Sequence, residues 1–173
     1  PNLIYRCFFL ILRDSGLRPG EALALDWANC SEQFKCFAIV QKFEQCTNRV
    51  LPGTKTGVTR AVPITDRTAA FLNQLKKEQG KEAGLIFSAD GRKPFSENNM
   101  NDRLRDAMDR AGVPRFVNGA GRTSYSFRHA FVTNALSSSL DPDEVALLAG
   151  HSREVQKGYN HPTNNHLFKR IKH

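Results

Sequence analysis

Apolar residues recur every three or four positions at the start of the chain, which is the spacing of a helix with one buried face. This run covers Asn2–Asp14, and Gly16 follows it as a residue suited to a left-handed helix cap. A shorter helix is predicted from Pro19 to Trp27, because proline favours the first helical position. The pattern therefore places Arg18 in a turn between two helices.

Four more helices are predicted in the second part of the chain. Residue 65 or 66 caps the first, Ser96 caps the second, and a glycine-containing loop precedes the third, which bears Arg128. The fourth opens at residues 141–144, where a capping residue, a proline and an acid follow one another. It ends at Gly150, so the residue after Gly150 lies in a loop.

The helix that bears Arg128 has apolar residues at every fourth position, namely Phe127, Phe131 and Ala135. Residues with this spacing share one helix face, and we expect that face to pack against the core. The same geometry predicts that Arg128 lies off the apolar stripe.

Between these two groups of helices the pattern changes to short runs that are typical of strands. Three strands are predicted, at Phe37–Val40, Arg49–Leu51 and Arg60–Ile64. The last two are joined by Pro52–Gly57, a run of turn-forming residues, which predicts a hairpin with Lys55 at its tip. The fold class predicted is therefore α+β, mainly helical, with a small three-stranded antiparallel sheet at one edge.

Length and composition indicate the number of domains and the class of protein. The chain has 173 residues, of which 40% are apolar, so residues 1–173 are interpreted as one domain with its own core. Because it begins with Pro1 and not with Met, we expect it to be part of a longer protein. No apolar stretch approaches the length of a membrane span, and the location predicted is cytoplasmic.

The charge and the cysteines also bear on partners and compartment. There are 25 Lys and Arg residues against 17 Asp and Glu, a formal charge of +8, which indicates an anionic polymer as the partner. An ordinary basic surface is the alternative. The four cysteines have no paired spacing and are interpreted as reduced, mostly buried thiols, with a disulfide as the alternative.

Arg128, His151 and Tyr159 follow one another in the last third of the chain. Two cations can hold the charge of a phosphoryl group while a phenolate attacks phosphorus in line. Deprotonating a phenol of pKa about 10 at pH 7 costs roughly 4 kcal/mol, and nearby positive charge offsets much of this cost. With Arg18 and Lys55 upstream, the series suggests a DNA strand transferase that works through a covalent link to its substrate.

The residues around these positions form a family pattern. Its segments, in chain order, are Ser15–Leu23, Thr54–Gly57, Ser126–Phe131 and Leu147–Ser152. Together with Tyr159 they resemble the catalytic domain of tyrosine recombinases, the phage integrase family, also known as DNA breaking-rejoining enzymes. The resemblance covers nearly the whole chain, from Arg18 to Tyr159.

The resemblance implies a role for each position. Arg18 and Arg128 resemble the arginines that grip the nonbridging oxygens of the scissile phosphate, a task suited to the guanidinium fork. His151 resembles the histidine that completes this cradle, and Lys55 resembles the lysine that protonates the leaving 5′ oxygen. Tyr159 resembles the nucleophile that forms a 3′-phosphotyrosine. No metal and no cofactor are expected, because the cations supply the positive charge and the phosphotyrosine keeps the energy of the broken bond.

Two further residues and one spacing in this pattern have more than one interpretation. Glu21 resembles an acid that holds the site in shape, and it is equally an acid favoured by the dipole of a first helical turn. Tyr125 stands where the family commonly has a histidine. It can hydrogen-bond a phosphate but is a poor base at neutral pH, and it is also a rival nucleophile. The interval from His151 to Tyr159 is one residue shorter than usual, which a tight turn at Gly158 permits.

The function implied is site-specific DNA recombination that integrates or excises a mobile element. The alternatives are a type IB topoisomerase-like activity and a DNA-binding or architectural module that keeps the fold without the chemistry. The partner implied is double-stranded DNA, with self-association into a tetrameric synapse and accessory DNA-bending or directionality proteins. A core-binding domain is expected to precede this one. A short terminal helix is predicted at residues 166–171, and its apolar face is expected to pack on a neighbouring protomer or on its own domain; these residues lie outside the part of the chain that the structure describes.

Overall fold

The computed structural model of the chain describes residues 2–31, 33–54, 57, 59–138 and 140–150. Helix α1 spans Leu3–Ser15 and buries one face, which includes Phe8 and Leu12. The Asn2 side chain accepts a hydrogen bond from the backbone N–H of Ile4, and Gly16 ends the helix in the left-handed conformation. The predicted first helix and its cap are therefore confirmed to within a residue.

The second predicted helix is divided into two short pieces. Helix α2 spans Pro19–Leu23, and a single turn of 3₁₀ helix spans Trp27–Asn29. The division falls at Asp26, whose side chain accepts a hydrogen bond from the Ala28 N–H and so caps a new turn. The Asp26 backbone also forms an antiparallel bridge with Leu85, which holds this residue extended.

The strands form two antiparallel pairs rather than one three-stranded sheet. Strand β1 is Cys36–Ile39, β2 is Gln41–Glu44, β3 is Arg49–Pro52 and β4 is Arg60–Pro63. Strand β1 pairs with β4, and β2 pairs with β3. The sequence pattern missed β2, because its alternation is interrupted by charged residues and it follows β1 after a single residue.

This pairing corrects the predicted hairpin. Strands β3 and β4 do not pair with each other, and the turn that closes the ribbon lies at residues 45–48, between β2 and β3. At the end of β3 the Gly53 N–H donates a hydrogen bond to the Val40 carbonyl at 2.7 Å. The predicted hairpin of β3 and β4 is therefore wrong, and Lys55 itself lies outside the described residues.

The remaining elements follow the sequence closely. Helix α3 spans Asp66–Gln79, with Thr65 as its cap, and α4 spans Glu97–Arg110, with Ser96 as its cap. A short hairpin pairs β5 with β6, and two helices follow. Their bounds are Phe116–Val117 for β5, Ala120–Gly121 for β6, Ser124–Ser137 for α5 and Pro142–Ala149 for α6.

The core consists of two apolar clusters with α5 between them. The larger cluster joins α1, α2, the strands and α3, and Phe127 packs against its edge by stacking on Phe9, with ring centroids 5.4 Å apart. The smaller cluster joins α5 to α6 and includes Val132 and Val145. Helix α5 is packed on two sides. The face that carries Arg128 and Val132 is buried, and the neighbouring face with Phe127 and Phe131 is half-buried. Arg128 lies off the stripe of Phe127 and Phe131, as predicted, but those two residues are only half-buried whereas Arg128 is buried. The prediction that the phenylalanine stripe is the face turned to the core is therefore wrong.

Two smaller expectations are settled by the same structure. All four cysteines are free thiols, but only Cys7 is buried, while Cys30 and Cys36 are half-buried and Cys46 is exposed. The expectation of mostly buried thiols is therefore wrong, although they are unpaired as predicted. Within the described part of the chain, no helix has both the length and the apolar character to cross a membrane.

The tight junction between α1 and α5 gives a stability prediction. A Cβ atom on Gly16 would lie 2.2 Å from Cδ1 of Phe131, whereas a Cβ on Gly80, which has nearly the same positive φ, would meet no atom within 4 Å. Gly80→Ala should therefore cost only the left-handed backbone strain, about 1–2 kcal/mol. Gly16→Ala should cost about 1–3 kcal/mol more, through the overlap with the ring. Urea unfolding of both variants measures this difference, and equal losses would contradict the packing described.

Candidate functional site

Arg128 is anchored inside the protein by backbone carbonyls from two other segments. It lies on the buried face of α5, with 5% of its surface exposed. Its Nη1 donates to the carbonyl of Gly16, 112 residues away in sequence, at 2.7 Å, and also to the carbonyl of Ala149. These bonds fix the guanidinium between the turn after α1 and the end of α6.

Arg18 reaches the same place from the turn after α1. The left-handed Gly16 reverses the chain there, Leu17 is fully buried, and Pro19 starts α2, so Arg18 occupies the cap of that helix. Its backbone N–H donates to Glu21 Oε2 at 3.1 Å, and its Nη1 lies 3.3 Å from Glu21 Oε1. The Arg18 side chain keeps 17% of its surface exposed, so it is accessible to a ligand.

Glu21 is held by a residue that the sequence analysis did not single out. Arg60, the first residue of β4, donates to both carboxylate oxygens of Glu21, at 3.2 and 2.7 Å. Burial alone would raise the pKa of Glu21, but the hydrogen bonds and charge of Arg60, followed by those of Arg18, hold it below the ordinary value. Glu21 is therefore ionised. It is an acid in the first turn of α2, and it contacts both Arg18 and Arg60.

A signal for Arg60 was present in the sequence. Alternate residues of β4 face the same way, and Arg60 and Val62 are buried while Ala61 and Pro63 are exposed. The strand pattern therefore places Arg60 on the side of the core. What the pattern does not show is which carboxylate lies opposite, because Glu21 is 39 residues earlier in the chain.

Tyr125 lies on the first turn of α5 and is 44% exposed. Burial of its hydroxyl and the charge of Glu97 raise its pKa, while the charges of Arg18 and Arg128 act in the opposite direction. The net effect is a raised pKa, so this phenol is protonated at neutral pH. It is suited to donate a hydrogen bond to an anion and poorly suited to act as a base or a nucleophile.

Glu97 is a second residue that sequence reasoning missed. It is the first residue of α4, and its Oε1 lies 3.5 Å from the position that a Cβ on Gly20 would occupy, beside the start of α2. Burial raises the pKa of Glu97 above its ordinary value. Glu97 also acts on Tyr125 through its charge, which raises the pKa of that phenol.

The start of α5 is fixed by α4. Asn101 Oδ1 accepts hydrogen bonds from both the backbone N–H and the hydroxyl of Ser124, the residue before Tyr125. The Thr123 N–H donates to the Ser126 hydroxyl at 3.0 Å, which satisfies a further donor of the first turn. These contacts set the position of Tyr125 relative to the arginines.

The structure thus brings together four of the seven predicted site residues, which are Arg18, Glu21, Tyr125 and Arg128. Lys55, His151 and Tyr159 lie outside the described residues. Among the residues that are described, no group of three or more His, Cys, Asp or Glu side chains is placed to hold a metal ion. The assembled groups are two guanidinium ions and a phenol donor around a partly open position, an arrangement that suits a phosphate.

Comparison with known proteins gives a consistent result. Residues 2–166 match the profile of the phage integrase family. A tyrosine recombinase XerC-like protein of Caldanaerobacter subterraneus subsp. tengcongensis is 24% identical over 172 residues, covering 85% of this chain and 42% of that protein. This chain therefore spans less than half the length of that relative.

Solved structures show the same fold. The integrase of the Tn1549 transposon, in complex with transposon right-end DNA, superposes with a TM-score of 0.77 at 14% identity, covering 98% of this chain and 58% of that one. The XerA recombinase superposes with a TM-score of 0.75 at 17% identity, covering 99% of this chain and 56% of that one. The predicted fold class, a mainly helical α+β domain with small antiparallel sheets, is confirmed.

The position of Glu97 gives a prediction about pH. Its pKa is raised on folding, so its contribution to stability is fully present below the ordinary value of 4.5 and is lost as the pH rises through the raised value. Glu97→Gln should therefore become more stable relative to the wild type between about pH 4 and pH 8. Urea unfolding across this range measures the change, with Glu144→Gln, at an exposed position on α6, as the control for lost charge. A pH-independent difference would contradict the assignment.

Proposed function

The chain belongs to the phage integrase family, and on this premise we propose that it is the catalytic domain of a site-specific DNA recombinase. In this proposal it cleaves and rejoins duplex DNA through a covalent 3′-phosphotyrosine. The observation that carries the proposal is the convergence of Arg18 and Arg128, which the bond from Arg128 to the Gly16 carbonyl draws together across 112 residues of sequence. A pair of fixed guanidinium groups beside a phenol donor matches the charge and the shape of a phosphodiester.

Each residue has a role in the reaction. Arg18 and Arg128 bind the nonbridging oxygens of the scissile phosphate and stabilise the charge that grows on them in the transition state. Tyr125 donates a hydrogen bond to the same group, because its raised pKa keeps the phenol protonated. Glu21 orients Arg18 through its two contacts with that residue. His151 completes the cradle.

The covalent step is a displacement at phosphorus. The Tyr159 oxygen forms a bond to phosphorus, and the bond from phosphorus to the 5′ oxygen breaks. The phenol passes its proton to solvent water in this step, and the leaving 5′ oxygen gains one from Lys55, which takes a proton back from solvent. A 5′ hydroxyl of a partner strand then attacks the phosphotyrosine, which restores the phosphodiester and the free tyrosine. Because the phosphotyrosine conserves the energy of the first bond, rejoining consumes no nucleotide.

Binding to DNA follows from charge as well as from the site. The formal charge of +8 favours association with a polyanion. Two structural relatives, the Tn1549 integrase and the XerH recombinase, are described as bound to DNA substrates. We therefore assign double-stranded DNA as the partner, bound mainly through phosphates with a strong dependence on salt, and self-association of the full-length protein on that DNA. We assign the protein to the cytoplasm, because its proposed substrate is chromosomal or mobile-element DNA.

The buried part of the site favours a catalyst over an architectural DNA-binding module. Removing Glu21 and Arg60 from water costs free energy that their mutual attraction and hydrogen bonds offset only in part, so a role in positioning explains this pair better than stability alone. A module that only bound phosphates would be served by exposed cations. Here the buried charges support an arginine that remains accessible, which is the arrangement expected of a reacting site.

A suicide substrate tests the proposal. The full-length protein is mixed with nicked duplexes tiled from the DNA that flanks its gene, so that cleavage releases a short fragment and traps the covalent adduct. We expect an adduct with the wild type and with Tyr125→Phe, and none with Tyr159→Phe. Arg18→Lys and Arg128→Lys should slow adduct formation by about 10²–10³-fold, because each loses the planar fork. Denaturing gels measure all five proteins.

The outcomes separate the two tyrosines. An adduct that persists in Tyr159→Phe and disappears in Tyr125→Phe would reassign the nucleophile. The absence of an adduct from the wild type on every duplex would overturn the recombinase proposal and leave the DNA-binding module.

A further inference from the structure

Arg60 joins the acidic residue of the site to the end of the last described helix. Its guanidinium contacts both oxygens of Glu21, and the two side chains are 4% and 2% exposed. On its other side, Nε donates to the Leu148 carbonyl at 2.9 Å and Nη2 lies 3.4 Å from the Ala149 carbonyl. One buried side chain therefore links α2, β4 and the C-terminus of α6.

These contacts provide hydrogen-bond donors for the last carbonyls of α6. The last four carbonyls of a helix have no partners within the helix. In α6 the Gly150 N–H serves the carbonyls of Ala146 and Leu147, and Arg60 Nε serves that of Leu148. The Ala149 carbonyl accepts a hydrogen bond from Arg128 Nη1 and a longer one, of 3.4 Å, from Arg60 Nη2. A cation at this end is also favoured by the helix dipole. The carbonyl end of α6 is thus held by Arg60 and Arg128 together with the cap.

The contact between Arg60 and the end of α6 leaves room only for a glycine at position 150. Its φ of +69° is the left-handed conformation that glycine adopts most easily. A Cβ on this residue would lie 2.6 Å from both Cζ and Nη1 of Arg60. The guanidinium therefore packs directly against the backbone of the residue that precedes position 151.

We propose that Arg60 is a positioning residue for phosphoryl transfer, which acts through Glu21 and through the end of α6 without touching DNA. It holds the carbonyls of Leu148 and Ala149 so that the chain enters the site from Gly150 in one direction. It also takes most of the charge of Glu21, which leaves Arg18 less tightly held and able to bind a phosphate. This inference rests on the proposed function of the site.

The charge arrangement supports the second part of this role. Glu21 contacts Arg60 through both oxygens, and its contact with the Arg18 guanidinium is a longer one of 3.3 Å. Without Arg60, the Arg18 side chain would be the remaining cation on Glu21 among the described residues. A carboxylate with one cationic partner competes with a phosphate for that cation. Arg60 therefore removes an internal competitor.

The test uses Arg60→Lys, which keeps the charge and loses the fork that reaches four acceptor atoms. With the suicide substrate at saturating concentration, we expect adduct formation to slow by about 10–100-fold, because small displacements of reacting groups have effects of this size. The apparent affinity for DNA should change by less than about threefold, since Arg60 does not contact DNA. Arg67→Lys, at an exposed position on α3, is the matched control. Circular dichroism and thermal unfolding establish that each variant is folded.

A double-mutant cycle checks the contact itself. Gly150→Ala pushes a Cβ into the guanidinium while leaving every charge in place, and Gly80→Ala controls for the backbone strain alone. Gly150→Ala should slow adduct formation, and its effect should be much smaller in the Arg60→Lys background, because the two changes disturb one contact. If Arg60→Lys does not fold, the rates of adduct formation of Gly150→Ala and Gly80→Ala are compared instead. A slower rate for Gly150→Ala supports the inference, and equal rates overturn it.

The outcomes are distinct from those for the proposed function. An active wild type with Arg60→Lys as fast as Arg67→Lys, or strictly additive effects in the cycle, overturns the inference alone. A slow reaction that is fully explained by weaker DNA binding also overturns it. An inactive wild type overturns the recombinase proposal and this inference together.

Discussion

The buried ion pair between Glu21 and Arg60 is the interaction on which the rest of the site depends. With both groups almost wholly removed from water, an unpaired charge at either position would cost several kcal/mol, so each must keep the other in place. Glu21 in turn holds Arg18, and Arg60 holds the carbonyls at the end of α6. The turn after α1, strand β4 and the last described helix are therefore held together by these contacts.

The three arginines of the site differ in how deeply they are buried. Arg60 and Arg128 are buried and donate hydrogen bonds to backbone carbonyls, which fixes the position of both guanidinium groups. Arg18 is partly exposed and is held mainly by one carboxylate. A rigid inner pair thus supports an accessible outer cation. This arrangement supplies positive charge that does not have to reorganise when an anion binds.

The helices were predictable because their signals are local. Thr65 and Ser96 cap helices through bonds to residues three positions away, and Gly16 and Gly150 end helices through their own backbone conformation. The strands were less predictable, because pairing joins residues that are distant in sequence. A missed strand at Gln41–Glu44 changed the partner of both later strands and moved the hairpin turn.

The sequence by itself determined the helices, their caps, the basic charge and the family pattern that includes Arg18 and Arg128. Each of these depends on residue type and short spacing. Only the tertiary structure decided that Arg128 is buried, that Arg60 faces Glu21 and that Glu97 stands beside Tyr125. These facts depend on which distant segments share one low-dielectric interior, where a charge must find a partner, and periodicity along the chain does not contain that information.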